Sequence, residues 1–168
     1  MKDVRIEKLT LNIGSGKEQD KLEKAVKLLK NITGTTVVKT KSLKRIPNWG
    51  LRPGLAIGCK VTIRKEHAKE LAGRLLAARD GKLELSNFDN AGNISWGIPE
   101  YIDIPQVNYD PQIGVMGLQC SLTLERRGYR VKKRVHLRRS LPIRQQVSKE
   151  DAINFMKDNF DVKIGESD

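Results

Sequence analysis

The chain has 168 residues, a formal net charge of +12 and 38% hydrophobic residues, enough for one ordinary domain with its own core. Its amino terminus lacks the apolar stretch of a secretion signal, and no run approaches the ~20 apolar residues of a membrane span. Cys59 and Cys120 lie far apart and suggest neither a disulfide framework nor a zinc ligand set. We therefore expect a soluble, cytoplasmic protein with free thiols.

Basic and acidic residues are separated along the chain. No acidic residue occurs between Glu23 and Glu66 or between Glu125 and Glu150, and these two stretches hold 21 of the 32 basic residues. A charged surface that serves only solubility tends to mix signs. Much of the basic density lies in segments broken by Pro and Gly, whereas a membrane surface favours a basic amphipathic helix. The pattern favours a nucleic-acid partner, with a merely solvated basic surface as the alternative.

The first third of the chain predicts a strand followed by a helix. Apolar residues alternate over 4–13, with a change of parity near Lys8 that predicts a bulge or a bend. Ser15 and Glu18 have the spacing of a capping box. Apolar residues then recur at helical spacing over 22–32, and Gly34 is placed to end the helix.

Two strands separated by a long loop come next. Residues 35–40 are mostly β-branched and predict a strand, and Pro and Gly punctuate a loop over 42–55. Apolar residues alternate strictly over 57–63, which predicts a strand with one buried face. The opposite, outward set is Gly58, Lys60, Thr62 and Arg64.

The middle of the chain predicts a second helix and two more strands. Residues 68–76 have amphipathic helical spacing that closes near Gly81, and residues 82–93 are polar and rich in turn formers. A shorter strand is expected over 94–98. A longer one is expected over 116–124, where apolar residues alternate again.

The last third combines a basic segment with a helix. The basic segment 126–147 has strand-like stretches around 129–137, and Ser148 is placed to cap a helix over about 148–161, with Asp151 at its third position. The whole pattern predicts a single α+β domain over 1–168, with helices packed on one face of a mostly antiparallel sheet and a basic β/loop extension near the carboxyl terminus.

A glycine-rich turn at Gly14–Lys17 raises the alternative of a nucleotide-dependent enzyme. The dinucleotide fingerprint needs a glycine where the chain has Gln19, and the nucleotide loop needs Ser or Thr where it has Glu18. Both templates fail. A backbone contact to an RNA phosphate at this helix start stays open.

No other set of residues predicts catalysis. His67 and His136 are the only histidines and lie in different parts of the chain, and both cysteines take inward positions of alternating strands. We therefore predict a protein that is not an enzyme and that has no metal, cofactor or small-molecule substrate. Trp49 lies in the Pro/Gly loop between Arg45 and Arg52, where it either stacks on an RNA base or covers the edge of the core.

Six motifs follow one another in chain order: Leu11–Gly16, Ile32–Gly34, Thr40–Ile46, Leu51–Gly54, Ile57–Arg64 and Phe88–Asn93. They resemble the ribosomal protein five family of the large subunit, the universal family that binds 5S ribosomal RNA. Two further motifs, Tyr109–Gly114 and Leu124–Val131, resemble the archaeal branch. The resemblance implies a structural role: attaching 5S rRNA to the large-subunit rRNA in the central protuberance, among its other ribosomal proteins and away from any membrane.

The same resemblance implies which residues face 5S rRNA. Asn12, Thr35 and Thr62 match the family's 5S-facing positions, although many members have an amide side chain where this chain has Thr35. The segment Thr40–Arg45, with Arg52 and Arg64, resembles the loop that clamps the RNA backbone. The complete predicted site comprises Asn12, Thr35, Lys39, Thr40, Lys41, Lys44, Arg45, Arg52, Lys60, Thr62 and Arg64.

Two further surfaces are expected. The family's loop after the second helix reaches toward the peptidyl-site tRNA and small-subunit protein thirteen, and here that loop offers Arg79 and Lys82. The basic segment predicts a second RNA surface comprising Arg126, Arg127, Arg130, Lys132, Lys133, Arg134, Arg138 and Arg139. A free-standing RNA-binding module, such as a regulator or processing factor, would show similar charge and is the competing interpretation.

Overall fold

The computed structural model describes residues 3–165 and has the α+β architecture predicted from the sequence. Its strands are β1 (Val4–Gly14), β2 (Val38–Lys41), β3 (Ala56–Ile63), β4 (Lys82–Glu84), β5 (Asn93–Ile98), β6 (Leu118–Arg126) and β7 (Lys163–Gly165). Its helices are α1 (Gln19–Thr33), α2 (Lys65–Ala77), α3 (Arg130–Lys133) and α4 (Lys149–Phe160). A mostly antiparallel sheet has the order β2-β3-β1-β6-β5, and β4 pairs with β7 in parallel.

The described residues divide into two compact units. The first unit comprises residues 3–9, 63–96 and 121–165, and the second comprises 10–62 and 97–120. The boundaries fall within β1, β3, β5 and β6.

The second unit has a core built from alternating strand residues and one face of α1. Leu11 and Ile13 are buried, and Asn12, between them, is exposed. The α1 helix buries its apolar face, as its spacing predicts, and ends at Gly34, where the backbone turns left-handed and the amide donates to the carbonyl of Lys30. These elements confirm the predicted strand–helix pair.

The predicted capping role of Ser15 is wrong. Helix α1 begins at Gln19, its N-cap is Glu18, and that residue makes no side-chain capping bond. The Ser15 amide instead donates to the carbonyl of Ile57 at 3.0 Å, so residue 15 still follows the hydrogen bonding of the strand. The turn into the helix comes later than the spacing of Ser15 and Glu18 suggested.

Strand β2 begins later than predicted. Residues 35–40 were expected to be extended, but the hydrogen-bonded strand covers Val38–Lys41. The Thr35 amide and hydroxyl both donate to the Thr33 hydroxyl, at 3.3 and 3.0 Å, and this local turn occupies the residues after the helix. Threonine forms such local bonds readily, and they compete with strand pairing.

The first unit contains α2, α4 and the small parallel pair. Helix α4 begins with the predicted cap: the Ser148 hydroxyl accepts from the Asp151 amide, and the Asp151 carboxylate accepts from the Ser148 amide. The segment 82–93 is predicted to be polar and rich in turns, and its first three residues form β4, which the sequence did not predict. Its partner β7 lies about 80 residues further along the chain, and short-range spacing does not reveal such a pairing.

The strand-like interpretation of residues 129–137 is wrong. This segment forms the short helix α3 followed by turns, and it pairs with no strand. Gly128, two residues after the end of β6, has a φ of 100° in a turn, and the following residues leave the sheet's hydrogen bonding. Lys133 then reaches back to two carboxylates, Glu7 and Glu125, at 2.6 and 3.0 Å.

Candidate nucleic-acid interface

Three neighbouring strands of the second unit present polar side chains on one face. The Ser15 amide donates to the Ile57 carbonyl, and Arg64, just past the far end of β3, contacts Glu7 of β1, so the two neighbouring strands run antiparallel and the register places Asn12 beside Lys60. On the other side of β3, Val38 of β2 pairs with Lys60. Asn12, Lys60 and Thr62 are all exposed, whereas the alternating residues of β1 and β3 are buried. We call this exposed surface of β1, β2 and β3 the outer face.

A bulge in β2 decides which of its residues reach the outer face. Thr40 pairs with Gly58, an outer-face position, and the register then shifts so that Lys41 pairs with Ala56, another outer-face position. Both Thr40 and Lys41 therefore lie on the outer face, although strict alternation would separate them. Strict alternation alone would not predict this arrangement.

Lys39 is on the opposite side of the sheet. It pairs with Cys59, whose side chain is fully buried on the inner face, and β2 is the edge strand, which leaves Lys39 exposed to solvent. Burial raises the pKa of the Cys59 thiol to about 11, and the charge of Lys39 opposes part of that rise. The structure thus does not bring Lys39 together with Lys60, although both were predicted to serve one site.

The remaining predicted residues of this unit lie outside its strands, after α1 or in the loop between β2 and β3. The Thr35 hydroxyl donates to Thr33 and retains its lone pairs as acceptors. Lys44, Arg45 and Arg52 are exposed on the loop between β2 and β3. That loop is internally bonded, with the Ser42 hydroxyl donating to the Lys44 carbonyl at 2.8 Å. These cations are therefore exposed on a loop that has internal hydrogen bonds.

Arg64 belongs to the first unit and is already engaged. Its guanidinium lies 3.7 Å from the Glu7 carboxylate and donates to the Glu7 carbonyl at 3.4 Å. Glu7 also accepts from Lys133, so one carboxylate with only 11% of its side chain exposed serves two cations. Arg64 stays more than half exposed, which leaves part of its guanidinium available to an RNA phosphate.

The predicted second RNA surface separates into paired and exposed cations. Arg126 is paired with Asp151 at 2.6 Å, and Lys133 is held by Glu7 and Glu125. Arg134, half-buried, donates to the Leu137 carbonyl at 2.9 Å. The other exposed members are Arg127, Arg130, Lys132, Arg138 and Arg139. A cleft of about 380 Å³ is lined by Lys132 and Arg138, among others, so some of these charges converge.

The loop after α2 is short and partly neutralised. Arg79 lies 3.5 Å from the Glu84 carboxylate, and Lys82 is exposed as the first residue of β4. Because β4 pairs with β7, the structure places Lys82 on a strand rather than in a free loop.

The glycine turn at Gly14–Lys17 is not built to hold a phosphate. The amides of Ser15 and Gly16, which a phosphate loop would offer, both donate to the Ile57 carbonyl, at 3.0 and 3.1 Å. Burial also raises the pKa of both cysteine thiols, which disfavours a reactive thiolate. Among residues 3–165, no group of His, Cys, Asp and Glu side chains could hold a metal ion, and no helix there is long and apolar enough to cross a membrane.

Comparison with known proteins identifies the family. A family model described as ribosomal protein L5 matches residues 1–52, and a second model, for the C-terminus of the same ribosomal family, matches residues 56–158. The chain belongs to the ribosomal protein L5 family. Large ribosomal subunit protein uL5 of Sulfolobus acidocaldarius is 45% identical over 98% of this chain and 92% of its own length. The uL5 of Nanoarchaeum equitans is 47% identical over 98% of this chain and 97% of its own length.

These comparisons confirm the family and its archaeal character. The uL5 of Methanoculleus marisnigri is also similar, with 42% identity over 98% of each chain. These relatives are named as ribosomal proteins and not as enzymes, which agrees with the predicted structural role.

The acidic partners of the basic segment were not predicted. Glu7, Glu125 and Asp151 hold Arg5, Arg64, Arg126 and Lys133 in place. Alternation along β6 would assign Glu125 to the outward-facing residues of that strand. Its partners Arg5 and Lys133 lie on other segments, which only the folded structure brings beside it. Only the fold reveals these pairs.

Proposed function

We propose that this chain is a structural constituent of the large ribosomal subunit, in the cytoplasmic ribosome, that binds 5S rRNA with the outer face. The observation that carries the proposal is the grouping of Asn12, Lys60, Thr62 and Lys41 on one exposed face of β1, β3 and β2. The side chains combine an amide and a hydroxyl, which can read particular RNA groups, with ammonium groups that bind phosphates.

The bonded loop between β2 and β3 extends this surface. Lys44, Arg45 and Arg52 are exposed there, and the whole stretch from residue 24 to 65 contains no acidic side chain. Without internal acids, these cations have no nearby carboxylates along the chain to compete with phosphate oxygens. Their role in the proposal is to hold the RNA backbone while Asn12 and Thr62 confer selectivity.

The exposed cations of the basic segment form the second contact in this proposal. We infer that Arg127, Arg130, Lys132, Arg138 and Arg139 face large-subunit rRNA, which would make the protein a bridge between two RNAs in the central protuberance. Arg79 and Lys82 would face the peptidyl-site tRNA and small-subunit protein thirteen. Arg79 is already paired with Glu84, so Lys82 would supply most of the charge of that contact.

Selective binding of 5S rRNA tests the proposal. We expect Asn12→Ala and Thr62→Val to lower the affinity for 5S rRNA by several-fold more than the affinity for an unrelated RNA of equal length. Lys41→Ala and Arg45→Ala, the matched controls, should weaken binding to both RNAs similarly, because phosphate contacts carry no sequence information. Equal losses on both RNAs for all four variants would show that the surface is only electrostatic.

A further inference from the structure

Trp49 is an exposed indole in the middle of the basic loop. Its relative exposure is 68%, whereas the other tryptophan, Trp96, is 2% exposed in the core. The expectation that Trp49 could cover the core edge is therefore not met. An exposed indole offers a large flat apolar surface that is more stable when another flat group covers it.

The backbone holds Trp49 in a defined position. Residues Pro47–Trp49 form one turn of 3₁₀ helix that ends at Gly50, which has a φ of 66°. Ile46 and Leu51 close the turn with two reciprocal backbone bonds, both of 3.0 Å. Leu51 is buried at the base of the turn. The backbone that carries the indole is therefore already ordered, so it loses little conformational freedom on binding.

The surroundings of Trp49 are cationic. Lys44, Arg45 and Arg52 are exposed in the same loop, and the side chain of Lys17 reaches the turn beside Gly50. A polyanion would be drawn to this loop before any stacking contact forms. Arginine and lysine around an aromatic side chain are the usual composition of surfaces that bind unpaired nucleotides.

We propose that Trp49 stacks on an unpaired base of 5S rRNA while the surrounding cations bind the adjoining phosphates. This inference rests on the proposed function, because it requires the loop to contact 5S rRNA. It adds a contact with the face of a base to the polar contacts of the outer face. A stacked base is recognised by shape and exposure, so Trp49 selects a single-stranded position rather than a particular nucleotide.

Indole fluorescence tests the stacking directly. The protein has two tryptophans, and the W49F variant isolates the emission of buried Trp96, which can be subtracted. Saturating 5S rRNA should quench the Trp49 emission by more than half, because stacking on a base quenches an indole. Labelled-RNA anisotropy run in parallel reports binding independently. Bound RNA with unchanged Trp49 emission would overturn the stacking proposal and leave the proposed function standing.

Affinity measurements with three variants separate stacking from simpler contacts. W49A should weaken 5S rRNA binding by about tenfold, within the range expected for one stacked base, and W49F should retain most of it. L43A removes another side chain of the same loop, 90% exposed, that cannot stack, and it should bind within about twofold of wild type.

Three other outcomes contradict the proposal in different ways. Equal losses in W49A and L43A would indicate a general apolar contact. Wild-type RNA affinity in W49A, combined with lost binding to large-subunit proteins, would reassign the indole to a protein contact. Failure of the wild-type chain to bind 5S rRNA at all would contradict the proposed function as well.

Discussion

Lys39 and Lys60 are neighbours in the β2–β3 ladder but lie on opposite faces of the sheet. Lys60 pairs with Val38 on the outer face, whereas Lys39 pairs with buried Cys59. Because the two side chains carry the same charge, they form a matched pair for locating the RNA surface. Any nonspecific effect of removing one positive charge is shared by both variants.

We expect Lys60→Ala to weaken 5S rRNA binding several-fold and Lys39→Ala to have a smaller effect. Removal of a phosphate contact by Lys60→Ala should also reduce the slope of log affinity against log salt by roughly 0.7–0.9. Filter binding at four or more salt concentrations measures both quantities. A larger loss for Lys39→Ala would place the RNA on the edge of β2 and not on the outer face.

Glu125 is a mostly buried carboxylate that forms ion pairs with two cations. Its carboxylate accepts from Arg5 at 2.7 Å and from Lys133 at 3.0 Å, and only 11% of its side chain is exposed. Burial alone would raise the pKa of Glu125, but the bonds from Lys133 and Arg5 outweigh it and hold the pKa below its ordinary value. Its ion pairs therefore stabilise the fold above the pKa of the unfolded chain, and this stability is lost as the pH falls through the folded value.

We expect Glu125→Gln to lower the free energy of unfolding at pH 7 by about 1–2 kcal/mol, since both cationic partners are about half exposed. The loss should shrink as the pH falls through the folded pKa of Glu125, which lies below its ordinary value, because the wild-type carboxylate is then itself protonated. Urea unfolding at several pH values provides the measurement, with Glu100→Gln, an exposed position, as the control. A difference between wild type and Glu125→Gln that does not depend on pH would contradict this role.

At the scale of elements, the basic segment combines an anchored part with an exposed part. Arg126 and Lys133 fix its beginning through ion pairs, and the Tyr129 hydroxyl accepts from the Val147 amide at 3.0 Å. Beyond α3, apolar side chains point into solvent, with Val135 97% and Leu137 74% exposed. The second part therefore has little apolar burial to stabilise it.

Amide exchange on the free protein should show this difference. We expect residues 135–142 to exchange faster than 126–133, and both to exchange faster than β3, because their backbone bonds are fewer and exposed. Addition of large-subunit rRNA should slow exchange in 135–142. Protection across 126–144 equal to that of β3 without RNA would mean that the segment is ordinary core architecture.

The main elements follow from local pattern, and the exceptions have identifiable causes. Alternation over 57–63 predicts β3 because burial on one face imposes a period of two, and Ser148 with Asp151 predicts the start of α4. Ser15 fits the same capping pattern, but its amide bonds to Ile57, 42 residues later. The pairing of β4 with β7 depends likewise on distant contacts.

In the candidate site, too, some features follow from the sequence and others depend on strand pairing and distant contacts. The composition of the acid-free stretch predicts that its cations form an RNA surface, and the resemblance selects Asn12 and Thr62 among the outward residues. The bulge after Thr40, which brings Lys41 onto the outer face and leaves Lys39 behind, is a property of the strand pairing. The ion pair between Lys133 and Glu7 likewise cannot be predicted from local sequence, because 126 positions separate the two residues.

Across the whole molecule, basic residues are separated from acidic ones along the chain. The two acid-free stretches carry 21 of the 32 basic residues, and the remaining chain carries all 20 acidic ones. In the structure, three of those acids, Glu7, Glu125 and Asp151, neutralise selected cations of the basic segment. The outer face and the loop between β2 and β3 keep their cations exposed. This distribution predicts RNA binding with a large electrostatic component.

The most direct test measures the affinity of the wild-type chain for 5S rRNA and for a scrambled RNA of the same length between about 50 and 300 mM salt. We expect a linear fall of log affinity with log salt for both RNAs, with a slope of roughly 0.7–0.9 for each phosphate contact. We also expect tighter binding of 5S rRNA at every salt concentration. Equal affinity for the two RNAs, or a 5S rRNA affinity that barely changes with salt, would contradict selective, charge-dependent binding of 5S rRNA by this chain.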